Sequence, residues 1–204
     1  MAETTLKILI LFAHPAIQKS RVNKVMAEMV QNLPGVTFHD LYEAYPHFGI
    51  DIQREQGLLL EHDLVVFHHP FFWYSTPAIL KEWQDLVLEH GWAYGSQGTA
   101  LQGKKMLSGI TPGGRESAYQ PDGHNRFTIR QLLAPLEQTA RLCGMEFLPP
   151  FVAHGTHRMT IEEMKVHGAD YRRLLEAFRD GRVDWDQARG LSRLNADLDS
   201  IIVG

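Results

Sequence analysis

The chain has 204 residues, of which 44% are hydrophobic and 22% charged, as expected for a soluble globular protein with one sizeable core. Its net charge of −4 and the absence of a Lys/Arg-rich run argue against binding to nucleic acid or to an anionic membrane surface. Cys143 is the only cysteine, which excludes an intrachain disulfide and fits a reducing compartment. The first apolar run, residues 6–13, is too short to span a bilayer and has no basic lead-in, so we expect a cytoplasmic protein.

Short apolar runs alternate with amphipathic segments through the first half of the chain. Residues 7–12 are continuously aliphatic and predict a buried strand, and Ser20 is the predicted N-cap of the helix that follows. The next predicted elements are a strand over residues 36–41, a loop over 42–51, a helix over 52–62 and a strand over 64–67.

The second half continues this alternation. Thr76 is predicted to cap a helix that runs to about His90, with Pro77 at the first helical position, where its missing N–H costs nothing. The following elements are a strand over residues 104–110, a long loop over 115–126, a helix over 128–143, a strand over 145–148 and a helix over 161–180. Residues 181–204 have a sparser apolar pattern, which predicts an appended helix or a partly ordered tail.

Five strands alternating with helices predict an α/β fold, because parallel strands need crossover connections that cover both faces of their sheet. We predict a flavodoxin-like, doubly wound, five-stranded parallel sheet with strand order 2-1-3-4-5. Residues 1–180 would form this domain, and residues 181–204 a C-terminal extension. In this order the first and third strands meet at the switch point, where such sheets bind ligands.

Three segments are predicted to meet at that point. The start of the first helix, Ser20 with the N–H groups of Arg21, Val22 and Asn23, can hold a phosphate. The loop after the third strand carries Phe71, Phe72, Trp73 and Tyr74, which suggests either a flat conjugated ligand or a loop packed against a helix or a second subunit. The fourth strand ends in Thr111-Pro112-Gly113-Gly114, where the backbone can approach a ligand closely. Together these features describe a site for flavin mononucleotide (FMN).

Separated motifs also match one known family in the right order. They are His14-Pro15 with Ser20 and Asn23, the run from Trp73 to Trp83, the run from His90 to Gly95, and Gly113-Gly114. Over residues 7–175 the chain resembles the flavodoxin-fold NAD(P)H quinone oxidoreductases of the DT-diaphorase type. More narrowly, it resembles the bacterial ancillary subunits of glutathione-gated potassium-efflux antiporters.

The resemblance implies roles for particular residues. His14 and residues 20–23 would bind the flavin phosphate and ribityl chain. Residues 71–74 would lie against the flavin ring, and residues 111–114 would form hydrogen bonds with the polar edge of that ring. Tyr119 and His124 fall where the relatives keep a catalytic tyrosine and histidine beside the substrate, although the spacing from Gly114 to His124 is one residue shorter here. Pro112 replaces the usual threonine, so any flavin contact through that amide must be lost or replaced.

The activity implied is two-electron ping-pong hydride transfer from NADH or NADPH through FMN to a quinone or related acceptor, by a homodimer. The chain could also act as ancillary regulator of a potassium-efflux antiporter, on the inner face of the cell membrane through that partner. The alternatives are a non-catalytic regulatory subunit of the antiporter and a flavodoxin-type electron carrier, although carriers of that type are typically more acidic. A metal site at His68-His69 or over residues 154–157 is disfavoured, because no acidic or cysteine partner lies nearby in sequence.

Overall fold

The sheet has the predicted strand order. A computed structural model describes residues 5–204, and its strands are paired in parallel in the order β2-β1-β3-β4-β5, with β6 also bonded to β4. The strands are β1 (Ile8–Phe12), β2 (Val36–Asp40), β3 (Leu64–Pro70), β4 (Lys105–Thr111), β5 (Glu146–Phe147) and β6 (Phe151–Val152). The flavodoxin-like fold prediction is therefore confirmed.

Alternate residues of the strands enter two separate apolar clusters on opposite faces of the sheet. In β1, Ile8, Ile10 and Phe12 join the first cluster, whereas Leu9 and Leu11 join the second. This is the side-chain period of two that a strand covered on both faces requires.

Helices cover both faces. They are α1 (Val22–Val30), α2 (Leu41–Ala44), α3 (Ile52–Glu61), α4 (Ala78–Val87), α5 (Ile129–Leu132), α6 (Ala134–Leu142), α7 (Ile161–Arg179), α8 (Trp185–Gly190) and α9 (Leu198–Ile201). Side chains of α1 and α7 belong to the first apolar cluster, and side chains of α3, α4 and α6 to the second. None of the helices within residues 5–204 is long and apolar enough to cross a membrane.

Several predicted boundaries were wrong. Helix α4 begins at Ala78 with Pro77 as its N-cap, so Thr76 does not cap it. Arg21 is the N-cap of α1, although the Ser20 hydroxyl still accepts a hydrogen bond from the Asn23 N–H. Helix α2 lies in a segment predicted to be a loop, because the Asp40 carboxylate caps it at the end of β2.

The predicted helix over residues 128–143 is divided in two. Leu133 has ψ near 0° (1°) and separates α5 from α6. Pro135 follows in the first turn of α6, where its ring lacks the N–H that a continuous helix would direct at the Gln131 carbonyl. The fifth strand ends before Pro149-Pro150, as predicted, and these prolines separate β5 from β6.

One buried carboxylate joins elements on the second face. Glu55 of α3 has no exposed surface and accepts hydrogen bonds from His39 Nε2 at 2.8 Å, Tyr45 Oη at 2.5 Å and Trp83 Nε1 at 2.8 Å. Burial by itself would raise the pKa of Glu55, but these hydrogen bonds outweigh it and hold the pKa below its ordinary value. The ionised carboxylate therefore ties α3 to β2, to the residue after α2 and to α4.

Residues 181–204 pack onto the rest of the chain. Leu194, Leu198 and Ile201 are buried in the first apolar cluster, and a β-bridge joins Val183 to Ile202. The sparse apolar pattern thus belongs to two short helices and a 3₁₀ turn (Leu194–Ala196) that cover part of the core.

Candidate functional site

A cavity of about 350 Å³ lies at the carboxyl ends of β1, β3 and β4, at the switch point of the sheet. Its volume is within the range of small-molecule sites, roughly 300–1,000 Å³. The lining residues come from four segments of the chain and are His14, Ala16, Lys19, Ser20, Arg21, Val22, Asn23, Pro70, Phe72, Thr111, Thr156 and His157. The structure therefore brings together His14, residues 20–23, Phe72 and Thr111, as the sequence predicted.

The start of α1 is fixed to the end of β4 by two side chains. Asn23 Nδ2 donates to Thr111 Oγ1 at 2.8 Å, and Thr111 Oγ1 donates back to Asn23 Oδ1 at 3.1 Å. The Asn23 amide also donates to Ser20 Oγ at 3.1 Å. Since Ser20 Oγ accepts this bond and that of the Asn23 backbone N–H, its own hydrogen is available for an acceptor in the cavity.

The charges around this helix start favour an anion. Among the described residues, those that line the cavity include Lys19 and Arg21 but no acidic side chain. Arg21 Nη2 donates to the Met159 carbonyl at 3.0 Å, which steadies the guanidinium beside the cavity. A serine hydroxyl, two cations and the N–H groups of a helix N-terminus form a donor set that suits a phosphate.

His14 supplies a neutral donor to the same cavity. Its side chain is buried, which lowers its pKa, and its Nδ1 accepts from the Ala16 N–H at 3.1 Å. The neutral imidazole therefore carries its hydrogen on Nε2. Its ring meets Phe72 edge to face at 5.8 Å, which joins the polar end of the cavity to the aromatic loop.

The aromatic loop after β3 is divided between the core and the surface. Phe71 is buried, whereas Phe72 and Tyr74 are about half exposed and Trp73 is 92% exposed. Trp73 and Tyr74 have left-handed backbones, with φ of 49° and 63°, and aromatic residues rarely adopt this conformation without a constraint. The Trp73 ring, which is almost fully exposed, has the most surface free to contact a ligand or a second subunit.

The loop of residues 154–157, which its sequence did not predict to be part of this site, contacts the glycine turn after β4. Thr156 and His157 line the cavity, and the Thr156 N–H donates to the Pro112 carbonyl at 3.3 Å. A Cβ at Gly113 would lie 2.3 Å from His157 Nε2, so only glycine allows this approach. The signal available in the sequence was the position of residues 154–157 directly after a strand, at the ligand-binding edge.

Tyr119 and His124 lie in different environments. Tyr119 is buried, with its ring 6.3 Å from that of Phe71 and 5.6 Å from that of His154, and burial raises its pKa. His124 is exposed, and neither Tyr119 nor His124 lines the 350 Å³ cavity. The loop that carries both contacts the aromatic loop, because Tyr74 Oη donates to Asn125 Oδ1 at 3.1 Å.

Comparison with known proteins agrees with this architecture. A family model described as "Flavodoxin-like fold" matches residues 6–175. The glutathione-regulated potassium-efflux system ancillary protein KefG of Cronobacter sakazakii is 45% identical over 175 residues, which cover 86% of this chain and 95% of KefG.

Two solved structures are also similar. General stress protein 14 of Treponema denticola, in complex with FMN, superposes with a TM-score of 0.80 and is 38% identical, covering 84% of this chain and 99% of its own. An NADPH-quinone reductase from P. pentosaceus superposes with a TM-score of 0.75 and is 30% identical, covering 83% of this chain and 97% of its own. The chain belongs to the flavodoxin-like NAD(P)H quinone oxidoreductase family.

Proposed function

We propose that this protein is an FMN-dependent NAD(P)H:quinone oxidoreductase in which nicotinamide and quinone occupy the same place in turn. The proposal is carried by the donor set of the 350 Å³ cavity, which consists of Lys19, Arg21, the Ser20 hydroxyl and the N-terminus of α1, together with the half-exposed ring of Phe72 in the cavity wall. An anionic group and a flat ring are the two halves of FMN.

The residues present fit this cofactor. Ser20, Lys19 and Arg21 would hold its phosphate, and His14 Nε2–H would donate to the phosphate or the ribityl chain. Residues 71–74 and 111–114 would border the ring. When bound, FMN supplies two-electron hydride chemistry, so the protein needs no covalent nucleophile. FMN is favoured over FAD because the sequence contains no second nucleotide-binding fingerprint.

The protein's own contribution is to orient the acceptor and move protons. The buried Tyr119 hydroxyl has a raised pKa and stays protonated near neutral pH, so it can donate a hydrogen bond to a quinone oxygen. His124 lies five residues further along the same loop and, being exposed, would have to turn inward when an acceptor binds. Both residues lie in the 115–126 loop, which we therefore propose as the acceptor side of the site.

A regulatory role is compatible with this activity. KefG, the ancillary protein of a potassium-efflux system, is 45% identical to this chain, which supports an antiporter as partner and a location at the inner face of the membrane. The exposed ring of Trp73, beside Phe72 and Tyr74, offers an apolar surface for a second copy of the chain. We therefore propose a homodimer with each site near the interface.

The test begins with the cofactor. Purified protein should show flavin absorption, release FMN on acid treatment, and oxidise NADH or NADPH when benzoquinone is added. Recovery of FAD, or of no flavin after reconstitution, would refute the cofactor assignment. A flavin-loaded protein that binds an antiporter but reduces no quinone would favour the non-catalytic regulatory alternative.

A further inference from the structure

The C-terminal segment, residues 181–204, lies beyond the stretch matched by the family model and forms an ion pair with the acceptor-side loop. Arg193 Nε and Nη2 donate to the two carboxylate oxygens of Glu116 at 3.2 and 3.0 Å. Arg193 Nη1 donates to the Asn195 carbonyl at 2.8 Å. All three guanidinium nitrogens therefore form hydrogen bonds. Nε and Nη2 bind the Glu116 carboxylate side by side, a geometry that lysine could not reproduce.

The two residues that follow Arg193 are held against the edge of the sheet by hydrogen bonds. The Asn195 side chain pairs with β6 through both backbone groups of Val152, accepting from its N–H at 3.0 Å and donating to its carbonyl at 2.9 Å. The Leu194 N–H donates to the Pro150 carbonyl at 2.9 Å, and the Leu194 side chain is fully buried. The sheet edge therefore sets the position from which Arg193 reaches the loop.

The other end of the ion pair lies close to Tyr119 along the chain. Glu116 begins a 3₁₀ turn, Glu116–Ala118, and Tyr119 is the next residue. A cavity of about 210 Å³ adjoins Tyr119 and is also lined by His154 and Arg193. The cavity leaves part of this side of Tyr119 without packed neighbours, so the polar contacts of Glu116 contribute to the position of the start of the loop.

We infer that Arg193 is a positioning residue: through Glu116 it holds the start of the 115–126 loop in the conformation that places Tyr119 beside the acceptor. This inference rests on the proposed function for the role of Tyr119 in acceptor binding. The C-terminal segment would then act directly on the site, in addition to packing on the core. Consistent with the contact, Arg193 holds the pKa of Glu116 below its ordinary value.

The test compares Arg193→Gln, Glu116→Gln and the exchanged pair Arg193→Glu with Glu116→Arg. The matched control is Arg173→Gln, because Arg173 pairs with Asp199 at 2.6 Å and so ties the same segment to α7 without contacting the loop. Two quantities are measured on the flavin-loaded protein: amide hydrogen exchange over residues 115–126, and KM and kcat for benzoquinone.

Each Gln variant should speed exchange in the loop and raise KM for benzoquinone, both by roughly three- to tenfold, a range set by the partial exposure of the pair. Flavin affinity should be unchanged, the exchanged pair should recover part of both losses, and Arg173→Gln should match the parent. Raising KCl to about 0.5 M should weaken the pair in the parent and shift both quantities in the same direction.

Parent-like exchange in Arg193→Gln would overturn the inference, and so would faster exchange without any change in KM. If the parent reduces no quinone, the proposed function fails, and the exchange rates alone then decide whether Arg193 holds the loop.

Discussion

Asn23 and Thr111, which are 88 positions apart in the chain, exchange two hydrogen bonds between the start of α1 and the end of β4. Asn23 is buried, and its amide also reaches Ser20. The amide is therefore engaged with the protein and not directed freely at a ligand. We infer that Asn23 shapes the proposed phosphate site by fixing the Ser20 hydroxyl in place.

Removing the Thr111 hydroxyl should weaken flavin retention indirectly. In Thr111→Val the buried Asn23 amide loses a partner, which should destabilise the protein by about 1–3 kcal/mol and lower FMN affinity. Asn23→Ala and Ser20→Ala should also lower FMN affinity. Fluorescence titration of flavin-free protein measures this. Thr139→Val is the control, because its hydroxyl bonds only to the Pro135 carbonyl within α6. Unchanged FMN affinity in Thr111→Val would contradict the account.

Substitutions in the 115–126 loop should lower quinone reduction without weakening FMN binding. Tyr119→Phe and His124→Ala should keep FMN bound but lower quinone reduction by roughly ten- to a hundredfold, below the full effect of a general acid because the flavin carries most of the chemistry. Steady-state kinetics on flavin-saturated variants measure this. If His124→Ala reduces quinones at the parent rate while Tyr119→Phe does not, the exposed histidine has no part in turnover. If neither variant is slower, the loop has a structural role.

The buried Glu55 network should make stability dependent on pH. The folded-state pKa of Glu55 lies below its ordinary value. Its contribution to the free energy of unfolding is therefore present above the unfolded-state pKa and is lost as pH falls through the folded-state pKa. Glu55→Gln should destabilise the protein by about 2–4 kcal/mol at neutral pH, with a smaller difference in acid. Urea titrations at several pH values check this, with Glu61→Gln, an exposed position on the same helix, as control.

The exposed aromatic loop should contribute to self-association. Light scattering at micromolar concentration should give twice the 23.2 kDa of one chain. Trp73→Ala should raise the monomer fraction, because a large exposed aromatic side chain is a frequent anchor of an interface. Leu142→Ala removes an exposed apolar side chain at the end of α6 and should leave the mass unchanged. A monomeric parent would refute the homodimer.

Local patterns were enough to predict the sheet and part of the site. The apolar runs at β1, β3 and β4 are bounded by turn residues, and parallel pairing with helical crossovers then leaves few topologies. The strand order brings the ends of β1, β3 and β4 together, so Ser20, Phe72 and Thr111 could be placed in one cavity from short-range periodicity and a general rule of sheet connection. The family resemblance, and not periodicity, implied that His14 belongs to the same site.

Local patterns did not predict the contacts between residues far apart in the chain. Asn23 bonds to Thr111, the loop of residues 154–157 packs on Gly113, and Arg193 reaches Glu116 across 77 positions. Likewise, the burial of Tyr119 and the exposure of His124 follow from what packs around one irregular loop. The periodicity of apolar residues indicates which face of a helix or strand is covered. It does not indicate which distant side chain contacts a loop, because such a contact depends on the packing of the whole chain.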